Sequence, residues 1–270
     1  MRRWWAPRGG TPRILLGLGR RLLTWTAAAA GLIGLWQLLL VIWPHIPEYL
    51  LPPPSRVVEA FSVSPRLFMS NVAVTASEIV LGLGIGIAGA LVWAVALVSV
   101  GSLRRAVFPL LVAAQSAPKE ALAPIFIIWW GFSPLPKVMM AALISFFPML
   151  IATVVGLERF SEDQRLLAAS MGAGPVRTLL SFRVWVALPS FLSGVRLGVT
   201  LAAIGAVLGE YLGSDRGVGY QILGAARRLD GGLLYASLIA LILLSWALVK
   251  LVDLLEAGLL RGTRRGRPRR

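Results

Sequence analysis

"LLAASMGAGPVRTLLSFRVWVALP", Leu166 to Pro189, is a short amphipathic stretch set between two long apolar runs. Just upstream, Ser161 is followed three residues later by Gln164, the spacing of a capping box. Glu162 and Asp163 fall in the first turn that this cap would open, where the helix dipole favours acids. Leu166, Leu167, Ala168 and Met171 give the helix an apolar side, and Gly172, followed by Ala173, suits the left-handed residue that ends it. Pro175 is placed to start a second helix, with Val176, Leu179, Leu180 and Phe182 on its apolar side and Pro189 marking its end. The stretch therefore predicts a loop, about residues 158–190, built as two short helices at a fixed angle. Its apolar side needs a partner, either the chain's own bundle or another protein.

The flanking sequence says where this loop lies. The chain has 270 residues, 57% hydrophobic and 14% charged; a soluble chain carries about 25% charged residues. The apolar residues come in blocks, so the class is an all-α, polytopic membrane protein. Leu22–Trp43 is uncharged over 22 residues, too long for a signal-peptide core. Ile79–Leu103 and Val138–Leu157 are uncharged over 25 and 20 residues. Ala106–Trp130 is a further span, interrupted by "APKEALAP"; Phe191 to about Leu212 and Leu233–Val249 complete six. Residues 1–21 form a basic tail, 22–257 the six-span domain and 258–270 a second basic tail. Six spans put both tails on one side. The loops on that side carry 18 Arg and Lys against six on the other, Arg56, Arg66, Lys137, Arg216, Arg227 and Arg228. Positive charge accumulates in the cytoplasm, so both termini and the 158–190 loop are expected there. The net charge of +15 is concentrated in tails beside spans, which favours contacts with membrane lipid over nucleic acid.

The pattern Ala168, Gly172, Phe182 and Ala187-Leu188-Pro189 resembles the EAA loop of ABC importer permeases. "APKEALAPIFIIWWGFSPLPKVMMAALISFFPMLIATVVGLE" and "GSDRGVGYQI" resemble the nitrate/sulfonate/taurine branch of binding-protein-dependent permeases, and the likeness covers roughly residues 50–250. The resemblance implies a type I importer permease fold in the bacterial cytoplasmic (inner) membrane, working as a homodimer by alternating access. It implies two cytoplasmic ATPase subunits that bind ATP and Mg and grip the loop through Glu162, Asp163, Leu166, Leu167, Ala168, Met171, Gly172, Ala173 and Phe182, and an extracytoplasmic solute-binding protein that selects the solute. Solutes in that branch are sulfonate-, nitrate- or taurine-like anions, or pyrimidine- and vitamin-precursor-like compounds, towards which the "PKEALAP" run leans. The family's signature Glu falls at Leu166 here, and a family proline at Trp185. The ionic contact to the ATPase is then absent or supplied by Glu162 or Asp163.

The chain has no Walker A lysine: Lys119, Lys137 and Lys250 follow Pro, Pro and Val. No cofactor is expected in this chain. With no Cys and His45 as its only His, it offers no His or Cys metal set and little for a membrane enzyme. "GIGIAG", Gly84–Gly89, matches a dinucleotide fingerprint but sits in an apolar span without a preceding strand; Gly82, Gly86 and Gly89 read instead as a small-residue face for helix packing. Pro118, Lys119 and Glu120, halfway through span three, suggest a substrate pathway, since charges at that depth face a cavity or a partner. Glu210, at the outer end of span five, is a further pathway candidate, and Glu78 reads as interfacial. The alternative to an ATP-driven importer is a secondary transporter or channel, for which paired broken helices are expected; the sequence offers one interrupted span.

Overall fold

The computed structural model describes residues 11–264; the outer parts of both basic tails, 1–10 and 265–270, lie outside the described residues. All regular elements described are helical: α1 Thr11–Ile42, α2 Pro54–Val63, α3 Pro65–Ser99, α4 Gly101–Ala114, a 3₁₀ turn Lys119–Leu122, α5 Ala123–Trp130, α6 Leu135–Glu158, α7 Glu162–Ser170, α8 Pro175–Thr178, a π turn Leu179–Arg183, α9 Val184–Gly213, α10 Val218–Arg227 and α11 Gly231–Arg264. Among the described residues, four runs are long and apolar enough to cross a membrane: α3, α6, the run Pro175–Gly213 that carries α9, and Gly231–Leu259 of α11. α4 and the Lys119–Trp130 segment add a fifth if taken as one span, bent by 91°. The apolar part of α1, Thr26–Ile42, is shorter than the roughly 20 residues of a typical spanning helix.

Several boundaries differ from those the apolar runs predict. α3 starts at Pro65, not Ile79, because proline at the first turn opens the helix and the polar residues Asn71, Thr75 and Glu78 are buried against neighbouring helices. Glu78 is therefore an enclosed residue in mid-helix, not an interfacial one. Arg104 and Arg105 belong to α4 rather than ending α3. Lys137, counted from the sequence as a loop residue, is buried in the first turn of α6. Pro189 does not end a helix: it lies inside α9, after a π turn of the kind that re-satisfies backbone groups around a proline in a spanning helix.

The centre of the fold is α3, α6 and α9, brought together by small residues. A Cβ on Gly82 would lie 2.5 Å from the Ala141 Cβ, and one on Gly86 2.8 Å from the Ser145 Oγ, so α3 and α6 run parallel. A Cβ on Gly89 would only touch the Phe146 ring, at 3.4 Å. On α9 the order reverses: Gly194 faces Met149 and Ala152, Gly205 faces Met140 and Ala141, and Gly209 faces Lys137. α9 is thus antiparallel to the other two. A hypothetical Cβ on Gly205 would sit 2.6 Å from the Met140 carbonyl oxygen, a backbone approach that only glycine permits. Met149, Leu150 and Val154 of α6 fill the core against Ala90, Ala94 and Val199. α11 is tied on by Arg196 of α9, which donates to Asp253 at 2.7 Å and pairs with Glu256. The antiparallel arrangement places the α7–α8 hairpin at one end of the bundle and α10 at the other.

Candidate functional site

The hairpin at 158–190 forms from local rules. The Ser161 Oγ accepts from the Gln164 N–H at 3.3 Å, and the Gln164 Oε1 accepts from the Ser161 N–H at 3.0 Å. At the other end of α7, Gly172 has φ +72°. The Gly172 N–H donates to the Ala169 carbonyl at 2.9 Å and the Ala173 N–H to the Ala168 carbonyl at 3.0 Å. These are the two bonds of a Schellman turn. Thr178 then donates to the Ala173 carbonyl at 3.4 Å, and Arg183 reaches back to the Leu157 carbonyl through Nε and Nη2 at 3.3 and 3.2 Å. Arg104 of α4 pairs with Glu158 at the foot of the hairpin. Both ends of the loop are therefore braced.

Its tip is uncovered. Leu166, Leu167 and Met171 are 59%, 61% and 62% exposed, and among the described residues α7 makes no more than marginal contact with any other helix. Val176 and Leu180 continue the apolar surface, Phe182 is half-buried, and Ala168 alone of this set is buried. Glu162 and Asp163 lie exposed in the first turn; Arg165 donates to Glu162 from Nε at 2.9 Å, and this hydrogen bond holds the Glu162 carboxyl below its ordinary 4.5. The arrangement offers a stiff turn with an apolar patch and an acidic start, the chemistry of a docking element.

The broken span carries the second set of predicted residues. Pro118 precedes the 3₁₀ turn that begins at Lys119. The Lys119 Nζ donates to the Gln115 carbonyl at 2.8 Å and stands 5.2 Å over the Phe147 ring of α6. Glu120 is exposed. Lys119 thus settles on a freed carbonyl and an aromatic face rather than on its neighbour.

Glu210 lies elsewhere, 1% exposed, at the end of α9 remote from the hairpin. Its Oε2 accepts from the Gly219 and Tyr220 N–H groups at 2.5 and 3.3 Å, and its Oε1 from the Thr75 hydroxyl at 2.6 Å. The Thr75 Oγ1 accepts from the Val218 N–H at 2.8 Å, and the Asn71 Oδ1 from the Gly217 N–H at 2.9 Å. A helix start leaves four N–H groups without intrahelical partners; here Asn71, Thr75 and Glu210, drawn from two other helices, satisfy the N–H groups of residues 217–220. Glu78 lies against the Glu210 carboxyl, with Lys137 as the nearby cation. Sequence reasoning missed Asn71 and Thr75, and placed Glu78 at the interface and Lys137 in a loop, whereas both are buried here. The available signal was polar residues recurring at three- or four-residue spacing (71, 75, 78) just ahead of an apolar run.

A family model described as "Binding-protein-dependent transport system inner membrane component" matches residues 81–265. A protein of Haemophilus influenzae named a probable ABC transporter permease is 34% identical over 82% of this chain and 90% of its own length. The formylaminopyrimidine transport permease protein of Halalkalibacterium halodurans is 37% identical over 77% of this chain and 85% of its own. The riboflavin transport system permease protein of Chloroflexus aurantiacus is 34% identical over 86% of this chain and 90% of its own.

Proposed function

Because the chain belongs to the family of binding-protein-dependent transport system inner-membrane components, a multi-pass family of transporter subunits, we propose that it is the permease of an ATP-driven importer with six spans. In this proposal α1 and the bent α4–α5 pair complete the count, both termini are cytoplasmic, and two copies form the transport path. Two separate ATPases bind ATP and Mg and seat the α7–α8 hairpin. A solute-binding protein delivers solute at the α10 end. Closure of the ATPases moves the hairpin, and the helix that begins there transmits the movement to the outer end; hydrolysis returns it.

The observation that carries this reading is the exposed apolar tip of a hairpin whose every turn is hydrogen-bonded. Docking on α7 then uses Leu166, Leu167 and Met171, flanked by Glu162 and Asp163, in place of the family glutamate. Pro118, Lys119 and Glu120 line the path at the broken span, while Glu210 holds α10 at its outer mouth. The relatives named for a formylaminopyrimidine and for riboflavin support a planar, ring-bearing solute ahead of a sulfonate-, nitrate- or taurine-like anion.

The test is co-purification. The permease retains a stoichiometric ATPase, and Leu166→Glu with Met171→Glu removes it while the permease still elutes as a folded species. A wild-type permease that transports solute without any ATPase sinks the reading in favour of a secondary transporter or channel.

A further inference from the structure

At the end of the bundle remote from the hairpin, a cleft of about 450 Å³ opens between α2, α10 and the start of α11. Its walls are firmly held. Tyr235 of α11 donates to the Leu50 carbonyl at 2.9 Å, and Trp36 to the Pro52 carbonyl at 3.0 Å. Gly231 and Gly232 lie directly against the backbones of Glu48 and Arg56. Beneath the cleft, Val57 and Phe68 pack on Ala236 and Ala240.

The lining is rich in hydrogen-bond acceptors. Glu48, Glu59 and Asp230 face it, with Arg56 as the one cation among the described residues of the lining, in a chain whose net charge is +15. Arg56 pairs with Glu59 at 3.1 Å and Glu48 at 3.9 Å, and the Asp230 Oδ1 accepts from the Leu233 N–H at 3.0 Å; each carboxylate, with two oxygens, keeps further acceptor capacity. Gln221 also lines the cleft, and its Oε1 is buried with no donor among the described residues. A buried acceptor without a partner marks a place where a donor is missing. Leu67 and Phe68 supply an apolar wall on the α3 side.

We propose that this cleft is the socket in which the extracytoplasmic solute-binding protein seats an arginine side chain. The proposal rests on the permease reading above. A guanidinium carries five donors in a planar fork and no acceptor, which matches two or more carboxylates and an orphan amide oxygen at once. Its methylene stem fits the apolar wall. The cleft lies on the face that the proposed topology turns outward, where a solute-binding protein arrives and no ATPase reaches.

The experiment uses the permease with its ATPases in phosphatidylcholine nanodiscs, titrated with the cognate binding protein by surface plasmon resonance. Glu48→Gln with Glu59→Gln, both exposed and bonded only to the exposed Arg56, is compared with Gln221→Leu. Loss of a desolvated charge contact is expected to weaken binding by about tenfold or more. The double variant also flattens the dependence of affinity on salt, and methylguanidinium competes with the binding protein on the wild type but not on the variant. If the ATPase is retained and both variants bind within twofold of wild type, with no competition by methylguanidinium, the socket is overturned and the permease reading stands. If no ATPase is retained, the permease reading fails and the socket with it. An effect that appears only when phosphatidylethanolamine replaces phosphatidylcholine assigns the cleft to a lipid headgroup and also overturns the proposal.

Discussion

Replacing Glu210 with alanine should release α10 from the bundle. The carboxylate accepts two backbone N–H groups, from Gly219 and Tyr220, and the Thr75 hydroxyl. Each buried donor left without an acceptor costs about 1–3 kcal/mol. Counting only the Gly219 amide, the fully buried one of the two, gives about 1–3 kcal/mol, and since each 1.4 kcal/mol is tenfold in an equilibrium constant, local opening of the α10 start becomes roughly 5- to 150-fold more frequent. Glu210→Gln keeps one acceptor oxygen and should fall between wild type and alanine. Amide hydrogen exchange by mass spectrometry on the purified permease reads this directly, in the peptide covering residues 217–221. The expected order of protection is wild type, then glutamine, then alanine, with α6 peptides unchanged in all three. Equal protection in wild type and Glu210→Ala would refute the assignment of these bonds as the anchor of α10.

The small-residue face offers a paired test. Gly205→Ala puts a Cβ against the Met140 and Ala141 backbone and should lower the apparent melting temperature by a cost of about 1–3 kcal/mol, whereas Gly84→Ala, which meets nothing within 4 Å, should leave a thermal scan unchanged or slightly raised. Gly172→Val also meets no atom, so its penalty is conformational: about 1–2 kcal/mol for a side chain at φ +72°, read as faster exchange at residues 168–173 and weaker ATPase retention. Because Arg165 depresses the Glu162 carboxyl below 4.5, this pair supports the start of α7 fully above pH 4.5 and lets go only as pH falls through the lower, folded-state value. NMR titration of Glu162 should show that lowered midpoint, and Arg165→Ala should return it to about 4.5; a midpoint unmoved by the substitution would remove Arg165 as the cause.

The hairpin was legible because its instructions are local. Ser161, Gln164, Gly172 and Pro175 each act within four residues, and cap and turn chemistry identifies them one by one. The α10 anchor was not, because Asn71 and Thr75 meet residues 217–218 from more than 140 positions away. Threonine and asparagine in a membrane helix carry no mark that names a distant partner. Span ends were misread for a related reason. A charge-free run finds the part of a helix that faces lipid or core, but α3 continues for 14 residues before Ile79, where Asn71 and Thr75 find hydrogen-bond partners inside the protein. Proline misled in the opposite direction at Pro189, which sits inside α9 because the π turn just ahead of it rearranges the backbone bonds that a proline disrupts. The break at Pro118–Glu120 was readable, since two prolines and two charges leave an apolar helix few ways to stay straight.

The run Pro175–Gly213 is helical along its 39 residues, roughly 58 Å at the rise of an α-helix, with the π turn Leu179–Arg183 and Pro189 in the third nearest the hairpin. It starts at the hairpin and ends three residues beyond Glu210. Beyond Pro189 it behaves as a camshaft: turning one end changes the phase of the other. One inserted residue near its middle would advance the far end by about 100°, swinging the Glu210 carboxyl away from Thr75 while every cap of the hairpin stayed intact.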